Sequence, residues 1–304
     1  MVKYLSVEAL YVARYEIREE RKKMVETTTM EKREEVGYGE GLAFEMDQLS
    51  FYEAIHAFID AGMDEVLVTS AKDGIRMANV NSSHTSLIVE YIDAKRCTKY
   101  SEGDAAFGVN LSDLKGVLTH IKGKLKFSQK GEKITMTGAD GFTKTFMVSD
   151  SQISVVIPKI DYRTGGVVNG KQLYTALSVA ADMADYVSFT ADGSNVIISA
   201  KRDEKTEMEM PVKILKGNFN GEEGIKATYN SEMVKSLIKP LKSGDVMIRF
   251  VITTGGEIIK TENNKTKKAP VDTKTAGPLK INFKIGENGN DDVRGYALLA
   301  PIVS

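Results

Sequence analysis

Counting four, seven, eight and eleven residues onward from Asp47, Asn110, Asn169 and Asn230 lands on an apolar residue every time. The first set is Phe51, Ala54, Ile55 and Phe58; the second is Leu114, Val117, Leu118 and Ile121. The third is Leu173, Ala176, Leu177 and Ala180; the fourth is Val234, Leu237, Ile238 and Leu241. This spacing predicts four amphipathic helices, each with one apolar stripe at the same phase, suited to lie on a sheet. Asp and Asn at the start fit N-caps, whose side-chain oxygens accept bonds from the free N–H groups of the first turn. The caps recur about 60 residues apart, as repeated supersecondary units do. Between the helices the chain reads as strands, with clear alternation in Lys133–Thr137 and Lys280–Ile285. Turn signals such as Lys72-Asp73-Gly74, Ala139-Asp140-Gly141 and Ala191-Asp192-Gly193 separate them. The expected fold class is α+β: two similar units, each with two helices packed on antiparallel sheets.

The boundaries follow from where the pattern stops. Residues 41–148 hold the first pair of repeats and 165–304 the second. Between them, 149–164 contains Val155-Val-Ile-Pro158, and the proline with its polar neighbours predicts an extended connector. Residues 261–277, rich in Thr and Asn and carrying Lys267, Lys268 and Pro270, read as a long mobile loop inserted in the second unit. Residues 1–40 are a charged N-terminal extension: Val7–Arg33 is dense in Glu, Lys and Arg around a thin stripe of Tyr11, Val12 and Tyr15. A solvated helix held by charge pairs and a loosely attached tail both fit that stretch.

Charge narrows the function. The net charge is −1 over 304 residues, so nucleic-acid contact has to come from local clusters of Lys and Arg. The single cysteine, Cys97, has no internal disulfide partner, which suits a reducing interior. No secretory signal or apolar run long enough for a membrane helix is visible. Enzyme signatures are also missing. His56, His84 and His120 have no metal-ligand spacing, and neither a phosphate-binding G-x-x-x-x-G-K-[ST] loop nor a G-x-S-x-G elbow occurs. No catalytic residue, metal or cofactor is expected.

Four segments are more specific. Asn81-Ser-Ser-His-Thr-Ser-Leu87 resembles the D-S-S-H-V-S-L segment of the proliferating cell nuclear antigen family of DNA sliding clamps. Gly108-Val-Asn-Leu111 resembles the G-V-N-L that opens that family's second helix. Tyr296–Ile302, with Leu299-Ala-Pro301, resembles its C-terminal Y-L-A-P-K-I, and Ile157-Pro158 followed by Tyr162 is similar to its connector. The resemblance runs in order from about Gly41 to the last residue. It implies a ring-shaped homotrimer around non-specifically bound double-stranded DNA. A clamp loader opens such a ring, and a DNA polymerase, nuclease or ligase docks on it through short peptide motifs. It also implies an intracellular protein, cytoplasmic and nucleoid-associated or nuclear according to the host.

Each candidate site has a blander alternative. Lys115, Lys122, Lys124, Lys171, Lys235, Lys239 and Lys242 form a basic surplus on the second to fourth helices, opposed by Asp113, Asp182 and Glu232. Lysine attracts phosphate without reading bases; for any single lysine an ordinary solvated helix face explains as much. Lys239 matches a DNA-facing lysine of the family. The first helix departs, with Glu53 and Asp60 where the family often has lysine. The resemblance places a partner-peptide pocket on Val80, His84, Thr85, Val155, Ile157, Pro278, Leu298 and Pro301, against core packing as the alternative. It places the subunit interface on two edge strands, through Lys144, Phe146 and Val148 on one and Glu207, Glu209 and Val212 on the other; edge strands of a monomer are the alternative. Two rival functions remain in view: a clamp-fold accessory or checkpoint-type scaffold that needs non-identical ring partners, and a β-rich enzyme.

Overall fold

The computed structural model describes residues 41–103, 106–149, 155, 158, 160, 162, 164–219, 224–262, 265–285 and 293–302; side chains of 218, 252–275, 283–285 and 293–294 lie outside the description. The 1–40 extension is outside it as well. Four copies of one motif, strand–helix–three strands, follow in order. They are β1 (Ala43–Asp47), α1 (Gln48–Asp60), β2 (Glu65–Ala71), β3 (Gly74–Val80) and β4 (Ser86–Asp93), with the short β5 (Lys99–Ser101); β6 (Ala106–Asn110), α2 (Leu111–Leu118), β7 (Lys124–Lys130), β8 (Lys133–Gly138) and β9 (Thr143–Met147); β10 (Gly165–Asn169), α3 (Gly170–Met183), β11 (Tyr186–Ala191), β12 (Asn195–Lys201) and β13 (Glu207–Asn218); and β14 (Ala227–Asn230), α4 (Ser231–Ile238), β15 (Asp245–Glu262), β16 (Lys265–Ile285) and β17 (Val293–Leu299).

Pairing crosses between copies. The first strand of each copy pairs with the second strand of its neighbour: β1 with β7, β6 with β2, β10 with β15 and β14 with β11. All ladders are antiparallel, as expected of α+β. In the second unit β13 runs unbroken, pairing with β12 through Glu207–Lys213 and with β10 from Ile214 onward. In the first unit a 3-10 turn, Ala94–Arg96, interrupts the same path, so β5 separates from β4. One sheet of five strands and one of twelve result. The larger sheet joins the two units because β17 pairs with β4 along Val293–Leu299 and Ser86–Ile92.

The caps form as expected. Asp47 accepts from Ser50 N, Asn110 from Ser112 N and Asp113 N, Asn169 from Gln172 N and Asn230 from Met233 N. All residues of the four stripes are buried, none more than 8 % exposed. Two helices are shorter than the stripe suggested. α2 ends at Leu118, and Ile121 reaches the core from the following turn. α4 ends at Ile238 because Pro240 lacks the amide an α-helix needs; Leu241 is buried from a 3-10 turn instead. The helices neighbour one another in the order α2–α1–α4–α3, on one side of the sheets. Each unit buries an aromatic group beneath them: Phe44 stacked on Phe127 at 4.7 Å, and Phe219 stacked on Phe250 at 5.0 Å.

The loop expected at 261–277 is a correction. Its backbone is paired strand: β15 and β16 continue in register from Val251↔Ala276 to Glu262↔Lys265 as an extended antiparallel ribbon. The corresponding hairpin of the second copy, β7–β8, closes at Lys130↔Lys133, close to the sheet.

Glu90 sits at the seam between the units, on β4 opposite Met77 and Gly295. It is fully buried, and neither carboxyl oxygen has a hydrogen-bond partner among the described residues. Burial pushes its pKa well above the usual carboxylate range, so the neutral acid is the form the fold accommodates. With a raised folded-state pKa, stability is fully present below the unfolded value and is lost as pH rises through the folded one. Glu90→Gln, which cannot ionise, is therefore expected to match the wild type in acid and to become progressively more stable than it as pH rises; denaturant midpoints across a pH series check this. Asn110→Ala removes a cap that serves two amides and is expected to lower stability by about 1 kcal/mol, read from the urea midpoint.

Candidate nucleic-acid and partner interfaces

The predicted DNA-facing lysines are placed unevenly. Lys115 and Lys171 are exposed on α2 and α3. Lys171 stands in the first turn of its helix, where the macrodipole disfavours a cation by about 0.3–1 kcal/mol. Lys122 and Lys124 are exposed but not helical, since α2 has already ended; they occupy the turn and the first position of β7. Lys239 and Lys242 are exposed at the 3-10 turn after α4, and Lys242 Nζ lies 5.6 Å from the centre of the Tyr174 ring, across to α3. Lys235 is engaged locally: its ammonium is 2.9 Å from Glu232, and that bond raises its pKa. On α1, His56 Nδ1 is 3.1 Å from Asp60 and packs edge-on against Tyr52, so this helix offers no free cation to the shared layer among its described groups.

The predicted pocket lies on the other face of the large sheet. There Ala78, Leu87, Val89 and Leu298 form a second, small apolar cluster. Val80 packs against it from the sheet, and Val155, Ile160 and Tyr162 from the connector. The Tyr162 hydroxyl donates to Pro278 O, which pins the connector to β16. Burial pushes the Tyr162 phenol far up, with Arg249 opposing. Thr85 O accepts from Ala300 N, and Thr228 O accepts from Ile302 N, both at 2.7 Å. The tail around Pro301 is thus stitched to both units. Asn81 organises the loop before β4: its Oδ1 accepts from Thr85 N and Ser86 N, each at 2.9 Å. His84 is exposed at the loop tip with φ 55°, so the buried-histidine alternative does not hold. Ile157 lies outside the described residues. Val80, Thr85, Val155, Pro278, Leu298 and Pro301 are therefore tied to one patch by packing or hydrogen bonds.

Two of the strand edges that lack a ladder partner among the described residues bear on the predicted interface. One is the outer edge of β9; the other is the Glu207–Lys213 edge of β13. Pro211 is on that second edge, where a missing amide is tolerated. Lys144, Glu207 and Glu209 are exposed, whereas Phe146 and Val212 turn into the core and Val148 follows the end of β9. A groove of about 950 Å³ runs beside β13, from Glu207 and Glu209 past Tyr186 and Lys226 to Pro301 and Ile302. Tyr186 is 52 % exposed, an apolar surface that the strand pattern alone did not mark.

Among the described residues no group of three or more His, Cys, Asp and Glu side chains is placed to hold a metal, and no helix is long and apolar enough to cross a membrane. Cys97 is half-buried, and burial with Asp93 pushes its thiol up to about 11, which keeps it protonated and unreactive.

No family model matches the chain. Curated relatives do. DNA polymerase sliding clamp 1 of Pyrobaculum aerophilum is 25% identical over 231 residues, 71% of this chain and 82% of that protein. DNA polymerase sliding clamp 1 of Sulfolobus acidocaldarius is 26% identical over 172 residues, 54% of this chain and 67% of that protein. Among solved structures, the A. fulgidus PCNA bound to the C-terminal region of FEN-1 superposes with a TM-score of 0.67 at 13% identity, over 86% of this chain and 99% of that one. PCNA of Thermococcus kodakaraensis gives 0.66 at 19% identity, over 86% and 100%. The solved structures share its fold, and in sequence the chain is similar to DNA polymerase sliding clamps along most of its length, in agreement with the fourfold repeat.

Proposed function

We propose that three copies of this chain close head to tail into a ring, that duplex DNA passes through it, and that polymerases and other replication or repair enzymes are tethered by short peptide motifs seated under the connector. The observation that carries this reading is the single layer of four helices on one side of the sheets, with exposed lysines on or beside three of them. Lysine–phosphate contacts are weak, screened by salt and indifferent to sequence, which suits a ring that has to slide. A closed ring leaves long DNA only by opening, so whatever it tethers stays at high effective concentration. The role is mechanical, with no bond made or broken. Lys171 supports the reading further, because a cation in the first turn works against its own helix.

The open edges of β9 and β13 supply the closing contact. They lie on different units, and a head-to-tail pairing of unlike edges generates a ring when the rotation closes. Their charges are complementary, Lys144 on one and Glu207 with Glu209 on the other.

Light scattering of the purified chain tests the assembly: three copies per particle are expected, and a monomer at every concentration would remove the ring. Lys144→Glu sets like charges against each other and is expected to raise the concentration at which the trimer dissociates about tenfold or more; Glu207→Lys with Glu209→Lys in the same chain restores assembly. On closed circular DNA, Lys239→Ala with Lys242→Ala is expected to weaken low-salt DNA binding by about tenfold while leaving the mass unchanged. Retention of full binding would place the DNA contact elsewhere.

A further inference from the structure

Arg249 on β15 stands opposite Lys280 on β16. Their strand neighbours Ile248, Phe250, Leu279 and Ile281 are all buried in the core beneath the helices. By the alternation of strand side chains, Arg249 and Lys280 therefore project from the opposite face, the one crossed by the connector. Arg249 lies flat across β10 because residue 165 is glycine; a Cβ there would collide with Arg249 Cγ. Lys280 Nζ is 4.4 Å from the centre of the Tyr296 ring and 5.9 Å from that of Tyr162, so the ammonium is held between two aromatic faces. No carboxylate forms an ion pair with either cation among the described residues. Burial, then Arg249, lowers the Lys280 pKa, as two neighbouring uncompensated cations require.

The pair adjoins the apolar cluster. Pro278 and Lys280 are alternate residues of β16, Leu298 pairs directly with Lys280, and Tyr162 and Tyr296 both pack on the cluster. An occupant of the cluster would reach the cations without crossing open solvent. Duplex DNA in a channel lined by the helices would not, because the sheet lies between.

We infer that Arg249 and Lys280 form an acid-recognition site beside the peptide pocket, selecting partner peptides that carry Asp or Glu next to their aromatic anchors. This rests on the peptide-pocket reading proposed above and adds a charge preference to it. The guanidinium offers a planar two-donor face to a carboxylate, and the ammonium is already half out of water before the partner arrives. Part of the cost of desolvating the pair is thus met in the free protein.

Two synthetic peptides test it on the full chain, each with a glutamine and two aromatics, one flanked on both sides by Glu-Glu and the other by Gln-Gln. Titration calorimetry at low salt is expected to show the acidic peptide binding about three- to tenfold tighter. The difference should shrink at roughly 0.5 M salt. In Arg249→Ser with Lys280→Gln the preference disappears while the Gln-Gln peptide binds as before, which also reports that the variant is folded. Arg249→Lys keeps part of the preference. Equal affinity of the two peptides for the wild type, or a preference that survives the double variant, overturns the inference and leaves the pocket standing. If neither peptide binds, the pocket itself falls and the inference with it.

Discussion

The fold depends on an exchange of strands. The first strand of each strand–helix–hairpin copy has one edge that only the neighbouring copy fills; β1 needs β7, and β6 needs β2. A single copy would leave both its apolar helix stripe and one strand edge in water, so the smallest closed unit is a pair. The exchange also sets α1 and α2 side by side, because each helix follows directly from an exchanged strand. The same relation recurs between β10, β15, β14 and β11. The β4–β17 seam then joins strands of both pairs in the twelve-stranded sheet and brings α4 beside α1. A continuous helical layer is thus a consequence of backbone pairing, and its surface charge can vary without disturbing the core.

That separation explains which features were legible in the sequence. The caps and stripes were, since Asp or Asn before a 3.6-residue apolar period has one physical reading, and every stripe residue is buried. Helix ends were not: the stripes ran on to Ile121 and Leu241, yet α2 ends at Leu118 with no proline near it and α4 at Ile238, just before Pro240. Strand positions could be read from alternation, but not strand partners, because an exchanged and an unexchanged first strand carry the same pattern. The ribbon of β15 and β16 was missed for a related reason. Its polar, lysine-rich sequence shows no apolar–polar alternation, and backbone pairing leaves no other trace in sequence.

The interfaces divide in the same way. Val80, Thr85, Leu298 and Pro301 came from the family resemblance, and the fold ties them to one patch through the apolar cluster and the tail's hydrogen bonds. Arg249 and Lys280 carry no motif. On a strand they look like ordinary outward-facing cations, and only the glycine at 165 and the two tyrosine rings single them out. Phe146 and Val212 show the opposite case: they lie on the edge strands proposed for the interface but point into the core, so at an interface these positions could contribute only backbone.

A chain with net charge −1 can still present surfaces of opposite sign if its charges are segregated. Exposed lysines stand on or beside α2, α3 and α4 as well as on strands, Lys133 and Lys213 among them, while Glu207 and Glu209 lie on a strand edge and His56 with Asp60 closes on itself on α1. An evenly basic protein would hold DNA tightly and move poorly, since each phosphate neutralised adds to the salt-dependent affinity. If DNA passes along the helices as proposed, a helix without free cations would lower that hold without weakening the core, because the charged positions lie opposite the apolar stripe. In the proposed ring, Glu207 and Glu209 would also repel DNA from the edge where another copy's Lys144 would arrive. On the proposed reading, the placement of charge would separate a weak, sliding contact from a specific, closing one on a single near-neutral molecule.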